Sequence, residues 1–285
     1  MEKKYVLVLD HDGIFHPNEL IEEYIKRINY LGTLEYAYSL MKAYDNNEIT
    51  QEEKDEKTEE HRYIRNMILE ETGNYKKIPY KKIYTLENAN MEAIITLFFI
   101  YDLHIFNEIV FNSHRNCERD LKAKTSFDKQ HLSIVDELYF PLFHSEKYDP
   151  TLVNLYNNNK RIRTDKADFL MKQRHIHDLR GYYGVDDSAK ICKEYERCNG
   201  KSFYKSNDIS VREVLLKAAR ECFCDRLELA KQEGKDVGGL LEAFDNVVEI
   251  FNENLDDYMH IYSREKNHDK CGGRKLYTKI KKQKH

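Results

Sequence analysis

A short apolar run near the start of the chain, ending on aspartate, constrains the fold more than any other feature. Residues 5–9 read YVLVL, and DHDG follows at once at 10–13. An unbroken run of Val and Leu is typical of a strand that is buried on both faces of a parallel sheet. We therefore predict an α/β fold, in which helices cover both faces of this sheet.

Two later apolar runs also end on polar residues. Residues 108–113 read EIVFNS, and GYYGV at 181–185 is followed by Asp186 and Asp187. In open parallel sheets, ligands bind beyond the carboxyl ends of the strands, so the residues that end these runs form the candidate site. Lys166 lies at the start of a predicted helix before the last of these strands.

Most of the remaining chain has a helical pattern. Only 11 Gly and 4 Pro occur in 285 residues, which favours helix over strand. Helical spacing runs from residue 19 to about 87, with Thr50 as an expected N-cap, and again over 89–103, 166–178 and 187–198. Residues 132–143 fit either a helix or a strand, and this choice stays open.

The C-terminal part predicts a helical hairpin over 207–264 with its break at Gly234 and Asp236. The apolar stripe of its second arm consists of Leu240, Leu241, Phe244, Val247, Val248, Phe251, Leu255, Tyr258 and Tyr262.

Composition excludes several classes of protein. The chain has 41% hydrophobic residues, with 21 Tyr and 13 Phe, which is too many for a disordered chain. Six Cys without a C-x-x-C pair do not indicate zinc and fit a reducing compartment. The N-terminal apolar run is too short for a signal peptide or a membrane span. We expect a cytoplasmic protein, with export without a general secretory signal peptide as the alternative.

The last residues of the chain form a basic tail. Residues 270–285 contain seven Lys and Arg and no acid, whereas the whole chain has a net charge of −4. Such a tail could bind nucleic acid or an anionic membrane, but a solvated tail is the favoured interpretation, and we do not expect nucleic acid to be a partner.

The acidic residues after the first strand predict a metal site. Asp10 and Asp12 can face the same pocket, and an acidic pair in such a place is costly unless a cation neutralises it. Carboxylates and water are the ligands that Mg²⁺ prefers. With Ser113 and Lys166 available for anionic oxygens, the set provides what phosphoryl transfer requires.

The order Asp-x-Asp-Gly, strand-end Ser, Lys and Asp-Asp resembles the four motifs of the haloacid dehalogenase (HAD)-like hydrolase superfamily, in its phosphatase branch. The matching residues are, in motif order, Asp10-His11-Asp12-Gly13, then Ser113, then Lys166, then Asp186-Asp187-Ser188. Ile14 departs from the pattern, because the family usually has Thr at that position.

The resemblance implies a domain organisation. A Rossmann-like α/β core would comprise 1–16 and 106–206, with a helical cap inserted at 17–105 between the first and second motifs. Residues 207–269 would form a C-terminal helical extension, before the basic tail at 270–285.

The resemblance also implies roles for the site residues. Asp10 would be the nucleophile that forms an aspartyl-phosphate, and Asp12 would be an acid and then a base, with a pKa raised by burial beside other acids. Ser113 and Lys166 would hold the phosphoryl oxygens. Mg²⁺ would be held by Asp10, by the backbone carbonyl of Asp12, and by Asp186 and Asp187 in the last motif.

These roles predict a Mg²⁺-dependent phosphatase that hydrolyses a phosphate monoester of a small molecule. One alternative is a phosphoprotein phosphatase, including a phosphotyrosine-directed one that acts as a secreted effector. A second alternative, from another class, is a non-catalytic interaction or nucleic-acid-binding protein whose motifs are vestigial.

Each residue also has a plainer structural interpretation. Ser113 and the Asp186-Asp187 pair could merely cap helices, and Lys166 could be a surface charge. Other basic residues could take the place of Lys166, namely Lys160, Arg161, Arg163 and Lys172.

Overall fold

A parallel sheet forms the centre of the fold. A computed structural model of the chain describes residues 4–26, 34–72, 78–115, 118–141 and 165–265. Within these ranges the sheet has five strands, all parallel, in the order β3-β2-β1-β4-β5. The strands are β1 (Val6–Leu9), β2 (Glu108–Asn112), β3 (Glu137–Tyr139), β4 (Tyr182–Asp186) and β5 (Lys201–Tyr204). The predicted α/β fold with a parallel sheet is confirmed.

Helices precede and follow the strands along the chain. Before β2 lie α1 (Asn18–Lys26), α2 (Leu34–Asp45), α3 (Gln51–Thr72), α4 (Tyr80–Ile83) and α5 (Met91–Asp102). The later helices are α6 (Glu118–His131), α7 (Lys166–Arg174), α8 (Ala189–Arg197), α9 (Val211–Gln232), α10 (Leu240–Glu253) and α11 (Leu255–Glu265). Thr50 is the N-cap of α3, as predicted, because its hydroxyl accepts from the Glu53 N–H while the Glu53 side chain accepts from the Thr50 N–H.

The central strand is buried on both faces, as its apolar run predicts. Leu7 and Leu9 point into the larger of two apolar clusters, which also contains residues of α5, α6 and α9. Val6 and Val8 point into the second cluster, which contains residues of α7 and α8. Helices therefore cover both faces of the sheet.

The sequence pattern left one strand undecided and did not predict another. The open segment 132–143 contains β3, a strand of three residues at one edge of the sheet. Strand β5, at the other edge, was not predicted, because only Phe203 of its four residues is buried.

The C-terminal hairpin differs from the prediction in its second arm, which consists of α10 and α11. The two helices are separated at Asn254, whose side-chain amide donates to the Ile250 carbonyl. Phe251 is buried and stacks on Phe99 of α5 with a centroid distance of 4.0 Å. Leu240 and Val247 are 44% and 39% exposed, because they lie at the edge of the stripe rather than at its centre.

The division into core, cap and C-terminal extension stays a prediction. Helices α1 to α5 occupy the sequence predicted as the cap, and the apolar residues of α5 join the same cluster as β1. In the ranges that the structure describes, no helix is both long and apolar enough to cross a membrane. The basic tail at 270–285 lies outside the described residues, as do Lys160, Arg161 and Arg163.

Candidate active site

The sheet order brings the predicted site residues together. Strand β1 lies between β2 and β4, with Leu9 paired to Phe111 on one side and to Val185 on the other. Asp10 therefore lies next to the residues that directly follow β2 and β4. Its backbone N–H donates to the Val185 carbonyl at 2.9 Å, which extends the register of β1 and β4 to Asp10.

Three carboxylates meet at this edge of the sheet. Asp10, Asp186 and Asp187 each offer one oxygen, and these oxygens all lie within 4.8 Å of one another. Asp10 and Asp186 are buried, and Asp187 is partly buried. Placing three carboxylates so close together is unfavourable unless cations lie among them.

Lys166 supplies one of these cations. Its ammonium group lies 2.7 Å from Asp10 Oδ2 and 2.7 Å from Asp186 Oδ2, and the side chain is 1% exposed. The backbone carbonyl of Lys166 accepts a 2.9 Å hydrogen bond from the buried Asn112 amide, which also donates to the Tyr195 hydroxyl. Lys166 is thus a buried member of the site and not a surface charge.

The pKa values of the three carboxyl groups are shifted in opposite directions. Burial raises the pKa of Asp10, but Lys166 and a hydrogen bond from Ser113 outweigh it, so the pKa lies below its usual value. Burial, reinforced by the charge of Asp10, raises the pKa of Asp186 well above its usual value. The same two causes raise the pKa of Asp187 to about 6.

This carboxylate set fits a divalent cation. Among the described residues of the cluster, one lysine faces three carboxylates, so an excess of negative charge remains. After burial, the charge of Asp10 is the next cause that raises the pKa values of Asp186 and Asp187. Closely spaced carboxylate oxygens are the donors that Mg²⁺ prefers.

Gly13 allows the loop after β1 to approach the loop after β4, which contains Asp187. Its φ of +75° lies in the left-handed region, and a Cβ at this position would collide with the Asp187 carboxylate. Asn18 of α1 donates a side-chain hydrogen bond to the same carboxylate. The glycine of the Asp-x-Asp-Gly run therefore gives Asp187 room beside the loop.

Ser113 lies at the end of β2 and is fully buried. Its hydroxyl helps to lower the pKa of Asp10, and its backbone N–H donates to the Tyr139 carbonyl. The N-cap position of α8 is held by Ser188 and not by Asp186 or Asp187. The Ser188 side chain makes no capping hydrogen bond, whereas Asp186 Oδ1 accepts a 2.9 Å hydrogen bond from the Ser188 N–H. Asp186 therefore contacts the start of α8 through one oxygen and Lys166 through the other.

The side chain of Asp12 does not join the carboxylate cluster. Its Oδ2 accepts a 2.6 Å hydrogen bond from Lys124, and its Oδ1 accepts a 3.0 Å hydrogen bond from the Tyr84 hydroxyl. Burial raises its pKa, but the charges of Lys124 and His11 outweigh burial and hold the pKa below its usual value. The expected increase in the pKa of Asp12 is wrong for this site, because the charges of Lys124 and His11 outweigh the effect of burial.

The residue between the two aspartates also carries charge. His11 is fully buried, and its Nε2 lies 3.1 Å from Asp128 Oδ1. Burial lowers its pKa, but the Asp128 and Asp12 carboxylates raise the pKa to about 9. At neutral pH the loop therefore holds a protonated imidazole on the residue that follows the candidate nucleophile.

Sequence reasoning missed Lys124, Tyr84 and Asp128. The signal for two of them was present in α6, where Lys124 and Asp128 lie four residues apart and next to the buried Ala123 and Phe127. Charged residues at the spacing of a buried helical face indicate function or pairing, since unpaired burial of charge is costly. No local pattern marks Tyr84.

Similar proteins were found among solved structures only. No family model matches the chain, and no curated protein does. A haloacid dehalogenase-like family hydrolase from Streptococcus pneumoniae is 10% identical with a TM-score of 0.40, covering 76% of this chain and 92% of that one. A predicted HAD-like family hydrolase from Porphyromonas gingivalis is 16% identical with a TM-score of 0.36, covering 73% and 93%.

A third similar structure is a HAD family enzyme from Bacteroides thetaiotaomicron, in complex with magnesium and inorganic phosphate. It is 11% identical with a TM-score of 0.36, and the match covers 73% of this chain and 96% of that one. With identities and TM-scores this low, function has to be inferred from the side chains themselves.

Proposed function

We propose that this protein is a Mg²⁺-dependent phosphatase of the HAD-like hydrolase type, which hydrolyses a phosphate monoester through an aspartyl-phosphate on Asp10. The observation that carries the proposal is the cluster of Asp10, Lys166, Asp186 and Asp187 at the carboxyl ends of β1 and β4. The lysine keeps the buried Asp10 carboxylate ionised, and the neighbouring acids can hold a metal. Together these groups provide what nucleophilic attack on phosphorus requires.

Asp10 acts as the nucleophile in the first step. Its lowered pKa keeps the carboxylate ionised at neutral pH, so no base is needed to activate it. The carboxylate oxygen forms a bond to phosphorus while the bond between phosphorus and the leaving oxygen breaks. The Lys166 ammonium group already contacts Asp10, and the Ser113 hydroxyl helps to lower the pKa of Asp10, so both groups can bind phosphoryl oxygens there.

Asp12 transfers the protons. A bound phosphate dianion brings negative charge next to Asp12, which raises its pKa and favours proton uptake before it protonates the leaving oxygen. In the second step the Asp12 carboxylate removes a proton from water, the water oxygen bonds to phosphorus, and Asp10 is released. Magnesium held by Asp10, Asp186, Asp187 and the backbone carbonyl of Asp12 would neutralise the phosphoryl charge.

Turnover of p-nitrophenyl phosphate in Mg²⁺ tests the proposal. We expect activity in the wild type and loss of at least about 10³-fold in Asp10→Asn, since the nucleophile is removed while the size of the side chain is kept. Asp245→Asn is a matched control, because Asp245 forms a partly exposed ion pair with Arg220. Equal activity in wild type and Asp10→Asn would contradict the proposal.

Two further measurements address the alternatives. A panel of phosphorylated metabolites and phosphopeptides, compared by kcat/KM, distinguishes a small-molecule phosphatase from a phosphoprotein phosphatase. A non-catalytic interaction protein predicts no turnover of any member of the panel. It also predicts salt-sensitive binding of nucleic acid that is lost when residues 270–285 are deleted.

A further inference from the structure

Helix α6 presents a buried charged face to the first catalytic loop. Asp120, Lys124 and Asp128 are spaced four residues apart and are 0%, 0% and 1% exposed. Residues with this spacing lie on one face of a helix. Burying three charged side chains in a row is costly, so each needs a partner of opposite charge. Two of these partners belong to the loop, Asp12 for Lys124 and His11 for Asp128.

The ammonium group of Lys124 is fully engaged by the protein. It donates to Asp12 Oδ2 at 2.6 Å and to the His114 carbonyl at 2.6 Å. The Ser113 hydroxyl lies 3.5 Å and Asp120 Oδ1 lies 3.7 Å from the same nitrogen. The two shortest contacts of Lys124 are thus made within the protein, to the Asp12 carboxylate and to a backbone carbonyl, which places the ammonium group to act on Asp12.

Both oxygens of Asp12 are held from different parts of the chain. Lys124 of α6 contacts Oδ2, while Tyr84, which follows α4, donates its hydroxyl to Oδ1 at 3.0 Å. His11 Nδ1 lies 3.7 Å from the same Oδ1. The Asp12 side chain nevertheless keeps 19% of its surface exposed, so a leaving group can approach it. Two donors on opposite oxygens fix the plane of the carboxylate.

We propose that Lys124 and Tyr84 are positioning residues, which hold the Asp12 carboxylate in the orientation needed for proton transfer to and from the reacting oxygen. The proposal rests on the proposed phosphatase function and adds two residues that act through Asp12. General acid catalysis contributes about 10²- to 10⁴-fold and depends on the placement of the acid to within about 1 Å.

Variation of the leaving group tests the role of Lys124. Lys124→Met keeps an unbranched side chain that is one atom shorter and removes its charge. For an alkyl phosphate, whose leaving oxygen needs a proton, we expect kcat/KM to fall by about 100-fold. For p-nitrophenyl phosphate, whose leaving group departs as a stable anion, we expect a fall of about fivefold or less. Lys122→Met is the matched control, because Lys122 lies on the same helix and its side chain is 72% exposed.

A double-variant cycle shows whether Lys124 acts through Asp12. In an Asp12→Asn background, adding Lys124→Met should change kcat/KM for the alkyl phosphate by less than about threefold, because the group that Lys124 positions is already lost. Multiplication of the two single effects would overturn the proposal. A merely structural role for Lys124 would lower activity on all substrates alike and would not produce this leaving-group dependence.

Tyr84→Phe gives an independent measurement, which is needed if Lys124→Met does not fold. Removal of the single hydroxyl should reduce kcat/KM for the alkyl phosphate by about tenfold, with little change for p-nitrophenyl phosphate. An equal loss on both substrates, together with a raised KM, would assign the two residues to phosphate binding and overturn the proposal. If the wild type is inactive, or Asp10→Asn is as active as the wild type, the proposed function itself fails, so the two failures are distinguishable.

Discussion

Removal of one carboxylate from the acidic cluster should stabilise the metal-free protein. Asp187 lies beside Asp10 and Asp186, and its pKa is raised from the ordinary 3.8 to about 6, first by burial and then by the charge of Asp10. Ionised Asp187 is therefore less favourable in the folded protein than in the unfolded chain. Asp187→Asn removes this charge and keeps an oxygen that can accept the hydrogen bond from Asn18.

The magnitude follows from the pKa of Asp187. The difference between 3.8 and about 6 corresponds to about 3 kcal/mol, because each pKa step of one is worth about 1.4 kcal/mol. Since Asp187 is only partly buried, screening by solvent reduces the expected gain to about 1–2 kcal/mol. The unfavourable contribution of Asp187 is complete above pH 6, decreases as the pH falls through 6, and disappears below about pH 4.

Urea unfolding in the presence of EDTA measures this effect. At pH 8, Asp187→Asn should have a free energy of unfolding about 1–2 kcal/mol above that of the wild type, and at pH 4.5 most of the difference should be gone. Added Mg²⁺ should stabilise the wild type more than the variant, because the variant has lost a metal ligand. Asp245→Asn should change stability by less than about 0.5 kcal/mol, since this carboxylate is partly exposed and paired with Arg220.

Two results would refute this reasoning. If Asp187→Asn is no more stable than the wild type at pH 8 in EDTA, the charge of Asp187 carries no folding penalty. If the gain is the same at pH 4.5 and pH 8, it does not come from ionisation of Asp187.

Two further predictions concern packing. Phe251→Ala should lower the free energy of unfolding, measured by urea titration, by about 3–5 kcal/mol, because the buried ring stacks on α5. The control Ile250→Ala should change this free energy by less than about 1 kcal/mol, because Ile250 is 56% exposed. Gly13→Ala should weaken Mg²⁺ binding at least tenfold, as measured by the Mg²⁺-dependent shift in Tm, because its Cβ would displace the Asp187 carboxylate. Gly234→Ala has a similar φ of +76° but no atom within 4 Å of its Cβ, so it should cost about 1–2 kcal/mol of stability and leave Mg²⁺ binding unchanged.

The parts of the site that could be predicted from sequence are those that lie next to a strand. Asp10, Ser113 and the Asp186-Asp187 pair each follow an apolar run, so the position of the strand fixes the position of the side chain. Lys166 could be predicted only from its order among the motifs, because its partners, the Asp10 and Asp186 carboxylates, are more than 15 residues away.

The parts that could not be predicted depend on contacts between distant segments. Lys124 is 112 residues from Asp12 along the chain, and no pattern around Asp12 indicates that a buried cation will contact it. The direction of the pKa change of Asp12 was wrong for this reason. The edge strand β5 was missed for a different reason, since a strand with one buried residue has neither an apolar run nor a clear alternation.

The pairing of β1 has a consequence for how the protein folds. Val6–Leu9 pairs with residues that begin at Glu108 on one side and at Tyr182 on the other. Closing such long loops costs chain entropy before any contact repays it, so formation of this sheet should be slow. During synthesis the first strand leaves the ribosome long before its second partner exists. Asp10 can therefore gain its lysine and its neighbouring acids only after synthesis has passed Asp187.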